Sequence, residues 1–175
     1  FLFCAFFYLK FVSKNYNLLN LILLFVIIFV VSYFILKKGL PVFYIPFCAI
    51  PMLATLLFEE LGLSLLITFA CGIAVTYLIS NLSLGILFLI SGLLSSLLIR
   101  DCRRRNAIIR VGFIVGLAQM ISLFFIRDFK LGYPNDYLSF LLNGIASGII
   151  VAGILPIFEY IFKTVTNISL LELAD

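Results

Sequence analysis

Apolar residues run along this chain in blocks of helical length, separated by short polar breaks. The blocks cover 1–12, 18–36, 40–58, 62–80, 82–99, 107–126 and 137–162, and the breaks read SKNYN, KKGLP, EELG, SN, RDCRRRN and RDFKLGYPND. A helix rises 1.5 Å per residue, so a hydrocarbon layer of about 30 Å calls for roughly 20 apolar residues in succession. Every block after the first is near or beyond that length. Barrel strands would instead alternate over about ten residues, which these blocks do not do. The pattern predicts an all-α fold, a polytopic membrane helical bundle of about seven transmembrane helices. The breaks at Glu59–Gly62 and at Ser80–Asn81 leave room only for tight antiparallel connections.

The two ends fit this pattern less well. Block 1–12 is too short to span and reads as the back half of a truncated first helix. The run Ser169, Leu170, Leu171, Glu172 has the spacing of a capping box, in which a serine hydroxyl and a glutamate three residues on satisfy free N–H groups. Residues 1–163 are therefore expected to form the transmembrane domain. Residues 164–175 should begin a linker helix that continues into an output domain beyond them.

Composition changes the picture only in degree. The chain is 65% hydrophobic and 11% charged, where soluble domains carry roughly a quarter charged residues. A net charge of +4 is small and local, and suggests no nucleic-acid partner. The distribution of charge matters more. Lys10, Lys14, Arg100, Arg103, Arg104, Arg105, Arg110 and Lys163 fall on one side of the predicted bundle, and Lys37, Lys38, Arg127 and Lys130 on the other. The richer side should be cytoplasmic, which puts the C-terminus on the cytoplasmic side of the membrane. Tyrosines such as Tyr44, Tyr77, Tyr137 and Tyr160 sit near block ends, where polar-tipped rings favour the interface.

Candidate chemistry is sparse. There is no histidine, and Cys4, Cys48, Cys71 and Cys102 form no CxxC pair, so a metal centre or disulfide framework is not expected. No nucleophile, base and phosphate-loop combination is present either. Gly112 and Gly116, with Gly144 and Gly148, have the four-residue spacing that lets helix backbones approach closely, either inside the bundle or across a homodimer. Pro46 and Pro51 should bend or break the third block. Gln119 and Asn143 are amides suited to tying helices together. Pro156 frees the carbonyl of Ala152. Glu159, near that helix end, is expected to contact the basic loop of Arg100, Arg103, Arg104, Arg105 and Arg110, or to carry a signal. That loop could also meet anionic headgroups or dock a further domain.

Asn143-Gly144, the run Gly153-Ile-Leu-Pro156-Ile-Phe-Glu159, Phe162, Thr166-Asn167 and Leu170-Leu-Glu172-Leu173 resemble the end of the membrane domain in the seven-transmembrane HD-domain hydrolases, the PgpH-type cyclic di-AMP phosphodiesterases. Tyr44-Ile-Pro46 with Ala49-Ile-Pro51-Met-Leu53, and the basic stretch Arg103–Arg110, are similar to further parts of that family. The resemblance implies an extracellular domain upstream and a cytoplasmic HD domain downstream, which would hold a divalent metal, Mn or Fe. It implies no cofactor within these residues. The bundle is then expected to anchor the hydrolase, to dimerise and to transmit a signal through Pro156, Glu159 and Asn143. Two other readings are a small-molecule transporter built around the proline-broken helix, and a sensor with a different output.

Overall fold

The computed structural model describes residues 18–58, 60–102, 104–126, 134–162 and 166–172. Block 1–12, Lys14, Arg103, Arg127, Lys130 and Lys163 lie outside these. The elements among the described residues are all helical: α1 (Leu18–Lys37), a 3-10 turn (Val42–Tyr44), α2 (Ala49–Phe58), α3 (Leu61–Ile79), α4 (Leu82–Ile99), α5 (Arg105–Ile126), α6 (Pro134–Phe162) and α7 (Asn167–Glu172). Among them α3, α4, α5 and α6 are long and apolar enough to cross a membrane. Large side chains such as Ile73, Tyr77, Phe125, Ile149 and Ile157 face outward, as a bundle solvated by lipid requires.

Block 40–58 is not one helix. The chain makes its 3-10 turn, extends through Ile45, and turns again before α2 starts at Ala49. Pro46 sits in the break. Pro51 falls in the first turn of α2, where a missing N–H costs no helical bond. α2 has only ten residues and all of them are buried. A helix apolar on every side belongs in the centre of a bundle, and α2 packs against α1, α3, α4 and α6. Phe47, just before it, lies 5.6 Å from Phe88, which lies 6.1 Å from Phe140 of α6. The ring of Phe47 comes so close to α4 that a Cβ on Gly92 would stand 2.7 Å from it.

The connections follow from local chemistry. α1 ends with Gly39 at φ +68° and with the Leu40 N–H bonded to the Ile35 carbonyl, a left-handed glycine cap. Ser80, at φ 54°, closes α3, and the Asn81 side chain accepts the Leu84 N–H to open α4. These two residues are the whole connection. The closest helix pairing is between α5 and α6, where the glycines meet. A Cβ on Gly116 would lie 2.5 Å from the Leu141 carbonyl oxygen, and one on Gly112 2.7 Å from that of Gly144.

Candidate functional site

α6 is bonded at two points to chain that is not part of a transmembrane helix. About a third of the way along its 29 residues, the buried Asn143 amide donates to the Ile45 carbonyl at 2.8 Å and also to the Phe43 carbonyl. These acceptors exist because the chain breaks before α2. A carbonyl inside an α-helix is occupied by the N–H four residues on, whereas that of Ile45, in the break, accepts only the Phe47 N–H from the backbone and has a lone pair left for the amide. The amide that the sequence marks as a helix tie therefore holds a broken segment.

Sixteen residues on, Glu159 does the matching work for the linker. One carboxylate oxygen accepts the Thr166 N–H at 3.0 Å, and it also accepts the Thr166 hydroxyl. The Ser169 hydroxyl lies 2.8 and 2.7 Å from the two oxygens. This corrects two expectations. Glu159 is turned to the linker and not to the basic loop. Ser169 is not the first cap of the last helix, because α7 begins at Asn167 and the Ser169 hydroxyl is committed to Glu159. The carboxylate of α6 is itself the anionic cap that favours a helix start.

Pro156 lies inside α6, three residues before Glu159. Gly153 meets open space, with nothing within 4 Å of where a methyl would stand. The glycines 112, 116, 144 and 148 are opposed to one another within the chain. A homodimer would therefore have to form through another face. Of the basic cluster, Arg100, Arg104 and Arg110 are exposed and Arg105 is half-buried. Arg105 is the first residue of α5. A cation there opposes the helix dipole.

The sequence did not single out a band of hydroxyls through the centre. Thr55 donates to the Pro51 carbonyl at 2.8 Å and lies 2.6 Å from the Ser64 hydroxyl. Ser64 donates to Ser96 at 3.0 Å, and Thr68 donates back to the Ser64 carbonyl. Higher up, Gln119 donates to the Cys48 sulfur, which is 3.4 Å from Ser91. The available signal was Ser64 with Thr68, and Ser91 with Ser95, each pair four apart on one helical face. At the basic end the band opens on a cavity of about 210 Å³ whose walls include Thr55, Arg100, Asp101, Cys102, Thr166 and Ile168. Burial, and then the neighbouring Asp101, push the Cys102 thiol above its ordinary pKa.

The chain has no histidine, and no three His, Cys, Asp or Glu among the described residues could hold a metal ion. These residues do not fit the divalent metal of a hydrolase, and no hydrolytic step is assigned to them.

Comparison with known proteins agrees with this picture. Residues 1–166 match the family model described as a 7TM receptor with intracellular HD hydrolase. The chain is 32% identical to the cyclic-di-AMP phosphodiesterase PgpH of Listeria monocytogenes, over 94% of its own length and 24% of that protein's. It thus spans about a quarter of that relative. No solved structure matches it. The chain, an all-helical membrane bundle, belongs to the family of 7TM receptors with an intracellular HD hydrolase.

Proposed function

We propose that this bundle is the anchoring and signal-transmitting membrane domain of a bacterial cyclic di-AMP phosphodiesterase. In this reading it sits in the inner membrane with its basic end in the cytoplasm. An HD domain using Mn or Fe follows the linker there, and a sensor domain lies on the other side. The observation that carries the reading is the double attachment of α6. Asn143 grips the turn beside Phe43 and Ile45, and Glu159 grips Thr166 and Ser169. Sixteen residues of helix separate the two by about 24 Å. A helix held at these two points carries a displacement of the turn at Phe43 and Ile45 to the linker. Pro156, with one backbone bond missing, is where it would flex.

The test uses the full-length protein. Glu159→Gln and Pro156→Ala should each change cyclic di-AMP hydrolysis per molecule while leaving abundance and membrane insertion unchanged. Unaltered turnover in both variants would reduce the bundle to a tether. A solute-binding role is the second reading. What favours it is a pair of buried amide oxygens without partners, those of Gln119 and Asn143, beside the broken α2. Uptake or binding of a solute by the bundle alone would support it.

A further inference from the structure

The cavity at the basic end is walled by three pieces of chain far apart in sequence: the end of α2, the turn after α4, and the linker. Drug-sized ligands occupy roughly 300–1,000 Å³, so about 210 Å³ suits a group no larger than a lipid headgroup. Arg100 and Asp101 both line it, yet no ion pair joins them, and neither has another ion-pair partner among the described residues. Two opposite charges that share a hollow without neutralising each other are complementary to a ligand bearing both signs. A guanidinium fork matches a phosphate, and a carboxylate accepts from an ammonium. The hydroxyls of Thr55 and Thr166 donate to the Pro51 carbonyl and to Glu159. What they have left is a lone pair, which suits the cationic end.

We propose that this cavity binds an aminophosphate zwitterion, with the phosphate on Arg100 and the ammonium on Asp101, Thr55 and Thr166. Two sources share that chemistry: a phosphatidylethanolamine headgroup at the membrane surface and free phosphoethanolamine. Arg100 belongs to the bundle and Thr166 to the linker, so an occupant bridges the two. Any effect on a hydrolase rests on the function proposed above. The binding itself does not.

Cys102 lines the same cavity and reports on it. The full-length protein is placed in nanodiscs of phosphate-free galactolipid, and N-ethylmaleimide labelling of Cys102 is followed by mass spectrometry at one fixed pH. Phosphatidylethanolamine in the discs, or phosphoethanolamine in solution, should slow labelling about tenfold once present at roughly ten times its Kd. Protection by the lipid alone identifies the headgroup as the source, and protection by the free compound identifies a soluble ligand. Arg100→Gln should abolish either effect, and Arg110→Gln should leave it. Equal protection by phosphatidylglycerol overturns the zwitterion assignment. Unchanged labelling in both arms, or protection that survives Arg100→Gln, overturns the site. None of these results touches the hydrolysis measured with Glu159→Gln and Pro156→Ala, so the two proposals fail separately.

Discussion

The two halves of α6 use the same small residue to opposite ends. In the first half, Gly144 and Gly148 press against the backbone of α5, where nothing can yield to an added methyl. In the second half, Gly153 looks into open space and Pro156 removes a helical bond three residues later. One half is seated by backbone contact and the other by side chains, with Leu155, Phe158 and Phe162 buried. The second half carries Glu159 and hence the linker. Side-chain contacts can readjust where a backbone seam cannot, so any movement of the linker end is expected in this half.

Four substitutions test this contrast. The largest effect is expected from Gly144→Ala, whose methyl would strike the backbone of Gly116. Overpacking of this kind costs about 1–3 kcal/mol and should lower the thermal midpoint in detergent; an unchanged midpoint would mean the seam is not tight. Next comes Glu159→Ala, which leaves the Thr166 N–H and two hydroxyls without their acceptor, at about 1–3 kcal/mol for a buried group. This loss is local. Amide exchange at Thr166 should quicken while global unfolding barely moves, and a matching global loss would mean the second half is seated as firmly as the first. Asn143→Ala should cost about 1 kcal/mol, with faster exchange around Ile45 as its signature. Gly153→Ala should have the opposite sign, stabilising by about 0.5–1 kcal/mol through helix propensity alone. If flexing matters, it should also blunt any regulation of hydrolysis in the full-length protein. Destabilisation by Gly153→Ala would erase the difference between the halves.

Much of the fold could be read from the sequence because lipid imposes a length rule. The apolar blocks from 62 onward correspond to α3–α6 within a few residues, and the prolines marked the break before α2. The residues of the site were legible as types but not as pairs. Spacing announced a groove at Gly112, Gly116, Gly144 and Gly148, yet a groove does not say which helix fills it. Glu159 stood out as a carboxylate in an apolar run. Its partners were misjudged because five arginines are a louder signal than one threonine and one serine. Ser169 and Glu172 had the spacing of a capping box, but spacing cannot reveal that a carboxylate from another helix has taken the hydroxyl. The cavity was invisible for the same reason. Its walls come from residues 55, 100 and 166, which only the packing of α2 against its neighbours brings together.

The two-residue connection at Ser80 and Asn81 bears on how the protein is made. It carries no charge, and its own backbone and one side chain satisfy the helix ends it joins. Nothing there could hold α3 back on one side while α4 is still being synthesised. The two should leave the translocon as a single hairpin, oriented by the arginines that follow α4. Lengthening this turn with lysines would then be expected to scramble insertion of the whole second half.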